Sequence, residues 1–174
     1  MRPPRGSARN RSWPATSSPT SRAPSGSWSA RVREALTRSE AETEALAAEL
    51  AAAFQGGEVV LLSGELGSGK TVFVRGLARG VGADPEEVAS PTFVLLTSYP
   101  GRLTLHHADL YRLSGNGDDR ELGLEELPGP RGVLAVEWAE RLSGLPWDPA
   151  LALRVTLEHA GEDARRVRIE KEAA

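Results

Sequence analysis

Residues 64–71 read Gly-Glu-Leu-Gly-Ser-Gly-Lys-Thr and fit the pattern G-x-x-x-x-G-K-[ST]. The chemistry that such residues allow is the gripping of a polyphosphate. Glycines at 64, 67 and 69 let the backbone come close and adopt positive φ, so that loop amides cradle a β-phosphate. Lys70 then bridges β- and γ-phosphates, and the Thr71 hydroxyl ligates Mg²⁺. Lys70 is one of two lysines in a chain with nineteen arginines. Where Arg is the default cation, a compact ammonium at this position suits a point-charge role that a planar guanidinium would fill poorly. The competing reading is a glycine-rich turn with an incidental lysine, and the flanking elements argue against it.

Further along, the apolar run Val133-Leu134-Ala135-Val136 ends at Glu137. An acidic residue at the end of a second strand is the usual other half of a phosphate-loop site, so Glu137 is a candidate for Mg²⁺ work and for orienting water. Glu137 can also begin a helix over 137–142, where a carboxylate favours the dipole, and the two roles are compatible. His107 and Asp109 alternate on one strand face. Two ligands do not make a transition-metal site, which leaves Asp109 as a Mg²⁺-side carboxylate or an exposed polar residue. His107 is expected to be structural, hydrogen-bonded beneath the site. Thr92, after Ser90-Pro91, stands where phosphate-loop switches place a γ-phosphate-sensing hydroxyl, or simply opens a strand.

These residues need elements to hold them. Val59-Val60-Leu61-Leu62, bounded by glycines, reads as a buried strand, and the apolar spacing at 73, 74, 77 and 78 predicts a helix after the loop. Ser39-Glu40-Ala41-Glu42 has capping-box spacing before an alanine- and leucine-rich helix running to Phe54. Segments 92–99 and 102–113, joined through Pro100-Gly101, predict an antiparallel hairpin. Residues 118–127 suggest a short acidic helix, and 150–158 with 165–171 a second hairpin or the sheet's edge. The resulting fold class is α/β, P-loop NTPase-like, a mixed β-sheet core flanked by helices.

Length and composition fit one domain. The 174 residues carry no cysteine, which excludes disulfides and thiolate metal sites and agrees with a cytoplasmic protein. No stretch approaches the ~20 apolar residues of a membrane span. The net charge of −3 hides an asymmetry, since residues 1–33 hold seven arginines and no acid. The remainder is therefore acidic, a poor surface for gripping nucleic acid alone. Residues 1–33, rich in Arg, Ser and Pro, are expected to form a disordered tail dispensable for the chemistry, with 34–174 as the P-loop domain. An organelle transit peptide or translated upstream sequence would have similar composition.

GELGSGKT, SPTF at 90–93, HADLYR at 107–112 and VEWAER at 136–141 occur in an order and spacing that closely resembles the TsaE (YjeE) family. That resemblance spans about residues 38–170. It implies a Mg²⁺-dependent ATPase, with ATP and Mg²⁺ bound, that acts on the TsaB–TsaD complex in forming threonylcarbamoyladenosine at position 37 of tRNA. Transfer of the threonylcarbamoyl group would fall to the partners, and tRNA would be met only through them. By the match, Leu66, Gly67, Ser68, Gly69, Lys70 and Thr71 bind ATP, and Thr71 with Glu137 holds Mg²⁺. Asp109 and Tyr111 belong to the functional HxDLYR segment, and Trp138 follows the metal-side glutamate. Glu40 and Gly161 match positions near the nucleotide. Ser68 departs from the family's common alanine. Two other readings use the same loop: a small-metabolite kinase, identifiable by a phosphorylated product, and a nucleotide-gated binding module with little turnover.

Overall fold

The computed structural model describes residues 32–89, 95–114 and 117–171. Seven strands form one sheet in the order β1-β7-β6-β2-β5-β4-β3. They are β1 (Val32–Thr37), β2 (Val59–Ser63), β3 (Leu96–Tyr99), β4 (Thr104–Asp109), β5 (Gly132–Glu137), β6 (Ala152–His159) and β7 (Arg165–Lys171). The inner strands β6, β2, β5 and β4 are mutually parallel, whereas β3 against β4 and β7 against β6 and β1 are antiparallel. The sheet is therefore mixed, with both hairpins present as the sequence predicts.

Strand β1 includes Val32 and Arg33, so the sheet takes in two residues that the sequence reading assigned to the tail. The first helix, α1 (Glu40–Ala52), is capped by Ser39, whose Oγ accepts from the Glu42 amide at 3.2 Å. Glu42 reaches back to the Arg38 amide at 2.8 Å, one residue beyond the usual capping-box partner. The second helix, α2 (Lys70–Val81), starts directly from the glycine loop and stops at Gly82, whose φ of 80° closes its last turn. Gly76 and Gly80 of α2 face α1. A Cβ on Gly80 would lie 2.5 Å from the Ala48 carbonyl oxygen and one on Gly76 2.6 Å from the Ala47 Cβ, so the two backbones nearly touch.

Both helices cover one sheet face, where Val60, Leu62, Ala135 and Val155 meet Leu50, Phe73 and Leu77. Over β2, β5 and β4 the other face is closed by the connections around residues 110–151, with Val59, Leu61, Leu134 and Val136 packed on Leu110 and Leu124. Strand β2 is thus apolar on both sides, which is why it reads as a run rather than an alternation. Within those connections the expected acidic helix is two short 3₁₀ turns, Asp118–Leu122 and Leu124–Glu126, parted by Gly123 at φ 61°. The predicted helix at 137–142 is absent. Glu137 ends β5, Trp138 turns left-handed, and only Ala139–Arg141 forms a 3₁₀ turn. Among the described residues no helix is long and apolar enough to cross a membrane.

Candidate functional site

Parallel strands β2, β5 and β4 all deliver their carboxyl ends to one edge of the sheet, where ligands of open α/β sheets bind. The loop 64–69 leaves β2 there, and the register sets Asp109 of β4 directly opposite Glu137 of β5. A cleft of about 610 Å³ opens above them. Leu66, Gly67, Gly69, Lys70 and Thr71 form one wall, with Asp109, Tyr111, Glu137 and Trp138 at the same end. Ser39, Glu40 and Thr43 from the start of α1, Asp163 from the β6–β7 turn and Arg165 at the start of β7 also line it.

The Thr71 hydroxyl donates to Glu137 Oε1 at 2.8 Å, and His107 Nε2 approaches the same oxygen at 2.9 Å. Glu137 is buried and His107 fully so, while Thr71 is half-buried at the cleft. An ionised Glu137 accepts from both, which places the imidazole proton on Nε2. His107 is thus a support beneath the carboxylate, as its position on the strand suggested. Asp109, also buried, accepts the Tyr111 amide at 2.9 Å. Glu137 ends the strand as the apolar run predicts. Helix initiation is overturned because the backbone leaves the strand through a left-handed residue.

Lys70 is buried at the mouth of the loop, its ammonium donating to the carbonyls of Gly64 at 2.7 Å and Glu65 at 2.8 Å. Burial pushes its pKa below the ordinary lysine value, opposed by the negative charges of Glu137, Glu140 and Asp109. The Trp138 ring lies over this ammonium, 3.8 Å from Nζ to the ring centre. Trp138 reaches that place by adopting φ 59°, a conformation costing a non-glycine residue about 1–2 kcal/mol. Tyr111 packs on Trp138 with ring centres 5.0 Å apart, and Arg141 lies over both rings.

Gly67 and Gly69 have φ of 75° and 98°, which carries the chain around the cradle. Ser68 is buried under the loop, its hydroxyl without a partner, and its carbonyl accepts from Arg165. Glu40, the first residue of α1, lines the cleft near Arg75. Gly161 lies in the β6–β7 turn but does not line the cleft; Asp163 of that turn and Arg165 at the start of β7 do. Thr92 and the SPTF segment fall outside the described residues. Arg165 and Arg141 carry no role in the sequence reading, and Arg165 had no signal beyond its place at the start of a strand.

The residues suit the ligands that the loop motif implies. Thr71 and Glu137 put two hard oxygen donors side by side, and Mg²⁺ commonly takes few protein ligands beside phosphates and water. Among the described residues there is no group of three or more His, Cys, Asp or Glu placed to hold a metal ion.

A mixed sheet with a glycine loop between its central strand and a helix, and acidic residues ending two neighbouring parallel strands, defines a phosphate-loop protein. Residues 37–167 match the family described as "Threonylcarbamoyl adenosine biosynthesis protein TsaE". The chain belongs to this TsaE family of threonylcarbamoyl adenosine biosynthesis proteins. It is 43% identical over 122 residues to the protein of that name from Treponema pallidum, covering 69% of this chain and 90% of the relative. To the TsaE of Aquifex aeolicus it is 38% identical over 140 residues, 79% of this chain and 96% of that one. A crystal structure of Bacillus subtilis YdiB superposes with a TM-score of 0.62 at 32% identity, covering 82% of this chain and 86% of that chain.

Proposed function

We propose that the protein is a Mg²⁺-dependent ATPase that works with TsaB- and TsaD-like partners in the cytoplasm to form threonylcarbamoyladenosine at position 37 of tRNA. One observation carries the ATPase reading. The Thr71 hydroxyl and the Glu137 carboxylate, 66 residues apart in the chain, meet at 2.8 Å beside a buried lysine at the mouth of a glycine loop. The names of the relatives supply the pathway.

Each residue has a definable task. The loop amides and the N-terminus of α2 receive the phosphate chain. Lys70 exchanges its carbonyl partners for phosphate oxygens, trading neutral acceptors for charged ones and so strengthening its hydrogen bonds. Thr71 and Glu137 would hold Mg²⁺, which would neutralise developing charge on the phosphates. Asp109, opposite Glu137, would stand as a second carboxylate on the Mg²⁺ side, and Glu137 would also orient the attacking water. His107 keeps the Glu137 carboxylate turned toward Thr71. Trp138 and Tyr111 close the phosphate end against bulk water and keep Lys70 desolvated. The acidic folded part leaves tRNA contact to the partners.

Phosphate release from MgATP by the full chain, alone and with purified TsaB–TsaD, tests this reading. Stimulation by the complex that Lys70→Ala abolishes is the expected result. A phosphorylated small-molecule product, or nucleotide binding without phosphate release in the presence of the complex, would refute it.

A further inference from the structure

Arg165, at the start of β7, directs its guanidinium onto main-chain carbonyls. Nε donates to Ser68 at 3.1 Å and Nη2 to Gly67 at 3.3 Å, while Nη1 donates to Ala164 at 2.9 Å and Glu162 at 3.3 Å. The two halves of the fork thus join the phosphate loop to the β6–β7 turn. The base of this fork is rigid. Arg165 pairs with Thr37 of β1 and His159 of β6, and its own carbonyl accepts from the Thr37 hydroxyl at 3.4 Å. Thr37 in turn shares a 2.8 Å hydrogen bond with Thr43 at the start of α1.

This has a consequence for the cradle. In a planar trans peptide the C=O and the following N–H point to opposite sides. The Gly67 carbonyl shares its plane with the Ser68 amide, and the Ser68 carbonyl with the Gly69 amide. Ser68 N–H is accounted for within the loop, donating to Glu65 at 3.1 Å. With the Ser68 carbonyl drawn toward Arg165, the Gly69 N–H must face the other way. Gly67 and Gly69 carry no side chain, so packing reaches these planes only through the buried Ser68 between them. Left without the fork, the Ser68–Gly69 peptide loses its side-chain anchor and gains freedom that a ligand must then remove at an entropic cost.

We propose that Arg165 is a positioning residue that sets the Gly67–Gly69 peptide planes for phosphate before nucleotide arrives. This rests on the reading of the loop as an ATP site. Arg suits the task because its donors are spread over several nitrogens in one fixed plane and can hold carbonyls of the loop and of the turn at once, whereas all three donors of a lysine ammonium radiate from one nitrogen on a flexible stem.

The test uses the full chain and its Arg165→Ala and Arg165→Lys variants. Amide hydrogen exchange of the nucleotide-free proteins is measured at Ser68 and along β7, and MgADP affinity is measured by calorimetry. In Arg165→Ala, Ser68 exchange accelerates while the inner amides of β7 keep their protection, and MgADP affinity falls about tenfold as preorganisation is lost. Arg165→Lys recovers only part of that affinity. Unchanged Ser68 exchange overturns the proposal, as does equal loss of protection along β7, which would make Arg165 a support of the strand alone. Wild-type protein that fails to bind MgADP refutes the ATP-site reading instead, and the exchange data then decide the clamp separately.

Discussion

Replacing Gly76 by alanine sets two ordinary expectations against each other. In an open helix interior, Gly→Ala stabilises by about 1 kcal/mol through backbone entropy. Here the new methyl would lie 2.6 Å from the Ala47 Cβ and would also press on the Glu44 carbonyl oxygen. Carbon atoms pack at about 3.5–4.0 Å, so the helices must part by roughly 1 Å. A shift of that size forfeits a quarter to a half of each facing contact, and the obstacle is partly backbone, which cannot swing aside. Overpacking of this kind costs about 1–3 kcal/mol, and the rigid backbone puts Gly76 near the upper end. Less the propensity gain, the net is a loss of about 2 kcal/mol, or a Tm lower by roughly 4–8 °C for a chain of this size. Urea and thermal unfolding of the full-length protein measure it. The same shift moves Lys70 and Thr71, which open α2, so nucleotide affinity should fall together with stability. A variant about 1 kcal/mol more stable than wild type would refute the close helix crossing.

Other perturbations bear on the site itself. Lys70→Ala should lower ATP turnover by about two orders of magnitude or more, since it removes the charge facing the phosphates; near-normal turnover would remove Lys70 from the mechanism. Glu137→Gln keeps the shape beneath Thr71 but loses the charge, so the Mg²⁺ concentration for half-maximal hydrolysis should rise severalfold, read from a Mg²⁺ titration, and an unchanged requirement would deny Glu137 its metal role. Because burial lowers the Lys70 pKa in the folded state, the unfolded chain binds more protons between that lowered value and 10.5. Stability should therefore rise with pH across that window, and the rise should be missing from Lys70→Met when the two unfolding free energies are compared.

The parts of the site legible in the sequence are those set by local pattern. A β-branched run, a glycine loop and a helical spacing specify β2, the cradle and α2 without reference to the rest of the chain. Val133–Glu137 was legible as a strand ending in a carboxylate. Whether a helix starts at Glu137 was not, because the answer lies in Trp138, whose left-handed turn is stabilised by stacking on Lys70 and Tyr111 from distant segments. The acidic stretch 118–127 has helical composition, but Gly123 and the packing of Leu124 against β2 and β5 divide it. Val32 and Arg33 belong to β1 only through their pairing with Glu170 and Ile169 far along the chain. Arg165 illustrates the same limit. Its partners on the phosphate loop are main-chain carbonyls nearly a hundred residues away, and carbonyls carry no sequence signature.

The central claim is that ATP hydrolysis at Lys70, Thr71 and Glu137 drives threonylcarbamoyladenosine formation by the partner complex. Its most direct test is a reconstituted reaction of TsaB–TsaD, tRNA, a threonylcarbamoyl donor, MgATP and this protein, with modified tRNA counted against complex by mass spectrometry. Wild-type protein should carry the complex through many turnovers, and Lys70→Ala should leave it at the level reached without the protein. Equal yields with wild type and Lys70→Ala would contradict the account.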